Sequence, residues 1–226
     1  MFLSIFNQSP IFAVMVVLGF VVGITVHEAA HAFTAWRLGD DTAYRQGRVT
    51  LNPAEHLDPL GSVLLVLAGF GWGRPVPVDP SRIRGGVWGP VAVAFAGPAS
   101  NLAVLVACAA LYRLPVFQEG YLLVVIAAFA FTNALLFVFN LIPIPPLDGS
   151  KILYPFLPRA FNGFVGFMNE YGPYVLLGLV LLGYFLARVP PFYISPLSFL
   201  ISSMLQPLYL ALALLGVPVP PPPFVG

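Results

Sequence analysis

Two histidines and a glutamate stand within five residues at the end of an apolar run that carries no other ionisable side chain. From Ile11 to Val26 the chain reads IFAVMVVLGFVVGITV, and His27-Glu28-Ala29-Ala30-His31 follows at once. With the residues up to 36, this run is long enough to cross a hydrocarbon core as a helix, which takes about 20 residues. Ionisable groups at such a depth are costly and rare, so three together imply a function that needs them. Positions i and i+4 of a helix share one face, which places both imidazoles to hold a single metal ion. Glu28 then stands where a general base toward water on that metal would stand.

The rest of the chain agrees with a bilayer setting. Of its 226 residues 59% are hydrophobic and only 8% charged, against about 25% charged in soluble domains. The fold class expected is an all-α polytopic membrane protein. A net charge of +1 and the lack of any basic cluster argue against nucleic acid as a partner. The single cysteine, Cys108, rules out a disulfide framework and a cysteine-based zinc site, and reads as a small buried hydrophobe. The first 36 residues lack a basic n-region and a small-residue cleavage site, so they read as a retained helix and not a signal peptide.

Spanning candidates run roughly over 11–36, 88–112, 121–141, 172–188 and 196–216, giving about five to six transmembrane helices. Between the first two lies Ser62–Trp72, too short to cross as a helix, followed by Gly73-Arg74-Pro75-Val76-Pro77-Val78-Asp79-Pro80. This stretch is expected to form a re-entrant or interfacial β-hairpin, which membrane depth tolerates only against protein or a water-filled cavity, the alternative being that 60–72 forms half of a tilted extra helix. With the helices alternating, Arg37, Arg45, Arg48, Arg74, Arg82, Arg84, Lys151 and Arg159 fall on one side and only Arg113 and Arg188 on the other. The positive-inside rule then puts 37–87 and 150–171 in the cytoplasm and the N-terminus outside the cell membrane. The Phe, Gly and Pro residues of 150–171 read as interfacial turns and anchors. Residues 1–217 are expected to be one membrane domain, and 218–226 a proline-rich C-terminal tail of polyproline character.

A catalytic zinc normally takes three protein ligands and keeps a fourth position for water. The third ligand must lie outside the first helix. Asp148 alone among the acids follows directly on a spanning segment within apolar and proline surroundings (Asn140-Leu141-Ile142-Pro143-Ile144-Pro145-Pro146-Leu147-Asp148-Gly149). Alternation also returns the 121–141 segment to the membrane face that carries HEAAH. His56 stays open as the weaker candidate.

The HEAAH helix and the later N-x-x-P-x-x-x-x-D-G segment together resemble the site-2 protease family of intramembrane zinc metalloproteases, in its compact prokaryotic form without PDZ or CBS domains. Gly47-Arg48-Val49-Thr50-Leu51-Asn52-Pro53, His56-Leu57-Asp58-Pro59 and Ala96-Gly97-Pro98-Ala99-Ser100-Asn101 resemble further segments of its members. The resemblance implies one zinc per chain on His27, His31 and Asp148, with Glu28 as catalytic base and Asn140 donating a hydrogen bond to the tetrahedral intermediate. Asn101 would either face the site or join helices. The implied partners are transmembrane protein substrates and the bilayer, and the implied activity is an endopeptidase in regulated intramembrane proteolysis or clearance of signal-peptide remnants. The alternative, from another class, is an ion transporter or metal-binding membrane protein using the same His/Glu/Asp cluster. A carrier would tend to show paired, repeat-related broken helices, and a transporter needs no general base.

Overall fold

The computed structural model describes residues 9–68, 71–186 and 196–214. The described residues are helical, with no strands. Helix α1 spans Pro10–Arg37. Ser9 caps it by accepting from the Phe12 amide at 3.4 Å, and Pro10 takes the first turn, where no N–H is needed. Short α2 (Thr42–Arg45) and α3 (Pro59–Ala68) precede α4 (Trp88–Tyr112) and α5 (Gly120–Asn140). Then come α6 (Asp148–Leu153), α7 (Asn162–Leu186) and α8 (Pro196–Leu214). Four helical stretches are long and apolar enough to cross a membrane: Pro10–Arg37, Trp88–Tyr112, Gly120–Asn140 and Arg159–Gly183, the last beginning just before α7. A shorter apolar piece covers Phe199–Leu214.

The centre of the molecule is the trio α1, α4 and α5. Gly19, Gly23, His27 and His31 recur every four residues and form one stripe along α1. A side chain at Gly23 would meet Leu136 Cδ1 at 2.6 Å and Asn133 Oδ1 at 3.1 Å, so glycine lets α5 approach at van der Waals distance. Small residues are the usual means of close packing between helices in lipid, where no hydrophobic force drives association. Farther along α4, Leu105 and Cys108 pack with Ile126, Ala130 and Ala134 of α5 and Leu212 of α8. Cys108 is the buried hydrophobe expected of it.

The stretch expected to form a β-hairpin is organised differently. Residues 59–68 are helical, because Asp58 caps the start by accepting from the Gly61 amide at 2.8 Å and Pro59 occupies the first position. At ten residues α3 rises about 15 Å, half a hydrocarbon core. Beyond it the chain returns as an extended segment, 73–79, joined to the preceding loop by one isolated antiparallel bridge, Leu57 to Gly73. The prolines at 75, 77 and 80 deny this segment the N–H groups a ladder would need. The expected proline-rich tail lies outside the described residues.

Candidate metal centre

Two elements deliver the three candidate ligands. The four-residue spacing on α1 brings His27 and His31 to one face. The chain leaves α5 at Asn140, turns through Pro143, Pro145 and Pro146, and re-enters a helix at Asp148. His27 Nε2, His31 Nε2 and Asp148 Oδ2 lie 3.0 Å from one another, and all three side chains are buried. Lys151 holds the other carboxylate oxygen, Nζ donating to Oδ1 at 3.2 Å, so Oδ2 faces the imidazoles.

The hydrogen bonds behind the rings decide what these atoms offer. His31 Nδ1 lies 2.7 Å from the Val93 carbonyl, which can only accept, so Nδ1 carries a proton and in the neutral ring Nε2 is bare. His27 Nδ1 lies 2.7 Å from Asn101 Oδ1 and donates to it likewise. Two imidazole lone pairs and a carboxylate oxygen therefore converge on one point inside the molecule, an arrangement that repels itself unless a cation or protons lie between. Gly97 opposite leaves that point open. A Cβ there would collide with His31 Nε2 and stand 2.6 Å from His27 Nε2. The donor set is that of a zinc site with two imidazoles and one carboxylate, and the second nitrogen of each ring is held by a partner as such sites require.

These ligands open onto an apolar cavity of about 700 Å³ that Glu28, Asn140, Lys151, Val76, Val78, Leu176 and Leu177 also line. Glu28 Oε2 accepts from the Val76 amide at 3.1 Å, which leaves Oε1 for water. The extended segment carrying Val76 is itself fixed. Arg48, buried, donates to the carbonyls of Arg74 and Pro75, the Arg74 amide donates to His56 O at 2.7 Å, and the Asp79 amide donates to Asp40 Oδ2 at 2.7 Å.

Asp148, the favoured third ligand, joins the histidines, and His56 does not. His56 is buried and donates from Nε2 to the Thr50 carbonyl at 2.8 Å, closing the 50–56 loop. Asn140 reaches the cavity wall, but its Nδ2 donates back to Leu136 O at 3.0 Å. Asn101 joins α1, α4 and α5 and, lying behind His27 and not on the cavity, holds that ring through Nδ1. The parts that sequence reasoning passed over are the Val93 carbonyl, Lys151 and Asn133. For Asn133 a signal was present, since a buried amide on a spanning helix needs a partner.

Residues 114–170 match the model of peptidase family M50. Over 174 residues the chain is 40% identical to "Putative zinc metalloprotease YwhC" of Bacillus subtilis, covering 72% of this chain and 78% of that protein. It is 35% identical over 157 residues to "Putative zinc metalloprotease Rip2" of Mycolicibacterium smegmatis, covering 64% of this chain and 58% of the relative. The Rip2 of Mycobacterium tuberculosis stands at 36% over 155 residues, with the same coverages. No solved structure matches significantly. The chain belongs to peptidase family M50, the site-2 protease family of membrane metalloproteases.

Proposed function

We propose that this protein is an intramembrane zinc endopeptidase that hydrolyses peptide bonds within or near transmembrane segments of other membrane proteins. The observation that carries this reading is the meeting of two bare imidazole nitrogens and Asp148 Oδ2 with Glu28 around one apolar cavity. His27, His31 and Asp148 would hold the zinc, which supplies Lewis acidity toward water and the scissile carbonyl. Glu28 takes the proton of the attacking water on its free oxygen and returns it to the leaving amine. Val76 N–H keeps the carboxylate aimed during both transfers. Asn140 turns its amide from Leu136 O to the oxyanion, a donor aimed where charge develops. The apolar walls exclude bulk water, which strengthens each of these interactions.

An extended substrate lies along 76–78 and uses main-chain groups there. Val78→Pro tests this more cleanly than Val76→Pro, because the Val76 amide already serves Glu28. Reduced cleavage with the metal retained is expected from Val78→Pro, and unchanged cleavage removes the substrate from this edge. We further place the protein in the cell membrane with its N-terminus outside and its active site toward the cytoplasm, on the distribution of Lys and Arg. Residues 1–217 act as one domain, and substrates come from regulated intramembrane proteolysis or signal-peptide remnants.

The test is incubation of the purified protein in liposomes with a single-span model substrate, the products being mapped by mass spectrometry. A cut in or beside the span, stopped by a zinc chelator and absent with Glu28→Gln, is expected. Equal cleavage by Glu28→Gln overturns the assignment of the base.

A further inference from the structure

Behind His27 runs a chain of buried amides whose direction is set at both ends by backbone carbonyls. Asn133 Nδ2 donates to Phe129 O at 2.9 Å, so its Oδ1 is the end facing α4. Asn101 Nδ2 donates to that Oδ1 and to Gly23 O, both at 3.0 Å. Its Oδ1 is thereby turned to His27 Nδ1 at 2.7 Å. A carbonyl cannot donate, so the sequence Phe129, Asn133, Asn101, His27 can run in only one direction. Asn101 and Asn133 are both fully buried, and no solvent replaces a partner that is lost.

We propose that Asn133 is a positioning residue which, through Asn101, selects the ring nitrogen that His27 leaves bare and so sets the affinity of the site for its metal. The inference rests on the metal centre proposed above. Were the Asn101 amide reversed, its oxygen would face two acceptors, Gly23 O and Asn133 Oδ1. Its NH₂ would meet His27 Nδ1, forcing the imidazole proton onto Nε2, in the middle of the ligand cluster. Asn133 supplies one of the two acceptors that forbid this. Removing it leaves Gly23 O alone, so the lock is weakened and the site is not destroyed. Partners behind a metal-bound histidine are commonly worth about 10–100-fold in metal affinity, and a loss in that range is expected here.

The test uses the full chain in detergent and zinc alone, with affinity read by competition against a chromophoric chelator and the His27 tautomer read in the metal-free protein by ¹⁵N chemical shifts. Asn133→Leu removes the acceptor. Asn133→Asp keeps one in either protonation state and, when protonated, also keeps the donor to Phe129 O. The expected results are a 10–100-fold loss of zinc affinity for Asn133→Leu with a growing share of Nε2-protonated His27, and recovery of both toward wild type in Asn133→Asp. Asn133→Ala, which loses the same acceptor, gives the same reading should Asn133→Leu not fold. A His27 tautomer that stays Nδ1-protonated in Asn133→Leu or Asn133→Ala overturns the inference, whatever happens to thermal stability. Zinc binding by wild type tests the metal centre separately, and the tautomer shift stands apart from it.

Discussion

Helices α1, α4 and α5 bury histidine and asparagine side chains whose backs are met by partners on a neighbouring helix, whereas α7 leaves most of its large side chains exposed. Phe164, Phe167, Tyr174, Leu177 and Phe185 are all about half exposed or more, and Gly163, Gly166 and Gly178 have open space where a side chain would go. The two regions share the cavity, with the ligands on one wall and Pro173, Leu176, Leu177 and Val180 of α7 on another. The difference teaches a division of labour. Groups that must be aimed sit where each hydrogen bond has one answer. The α7 wall meets the rest of the protein through fewer buried side chains, and loosely packed elements open at the lowest free energy.

The largest effects should come from the packed trio. Glu28→Gln is expected to reduce cleavage by about 10²–10⁴-fold, the usual worth of a general base, with metal content unchanged. Gly97→Val should abolish metal binding, because its side chain fills the point where the ligands converge, while helical content by circular dichroism stays the same. On α7, Leu177→Ala should alter KM a few-fold and leave metal content untouched. A loss of metal from Leu177→Ala would break the comparison.

The smallest effect concerns acid stability. Burial would raise the Asp40 carboxyl, but hydrogen bonds from Thr42 and the Asp79 amide outweigh it and hold it below the ordinary range. A group depressed on folding stabilises above its unfolded pKa, and that contribution is lost as pH falls through the folded value. Wild type should therefore melt at progressively lower temperature in acid, and Asp40→Asn should show a shallower decline. An identical slope in both would detach Asp40 from the stability of the 73–79 segment.

Much of the site was legible in particular residues. HEAAH announced its own helix face, the prolines at 143, 145 and 146 announced a break before Asp148, and alternation of the helices announced its depth; that Asp148 opens a new helix is seen only in the structure. The first three spans were expected at 11–36, 88–112 and 121–141 and run Pro10–Arg37, Trp88–Tyr112 and Gly120–Asn140. The next was expected from 172, but α7 begins at Asn162, because Gly163, Gly166, Asn169 and Glu170 lower the apolar signal without breaking the helix. Pro173 lies inside the helix. The apolar run 62–72 is too short to span and reads first as part of a hairpin, whereas 59–68 is helical, as the alternative allowed and as the helix-start pair Asp58-Pro59 spells. Partners three-dimensional in origin left no local trace: the Val93 carbonyl on His31, Arg48 on 74–75, and Val76 N–H on Glu28. Nothing in one stretch of sequence says which distant backbone will meet it.

The most direct test of the central claim is the metal content of purified wild type, Asp148→Ala and His56→Ala by mass spectrometry. The account predicts near-stoichiometric zinc in wild type, lost with Asp148→Ala and kept with His56→Ala, whose ring only closes a loop through Thr50 O. Zinc retained by Asp148→Ala, or lost only with His56→Ala, would contradict it.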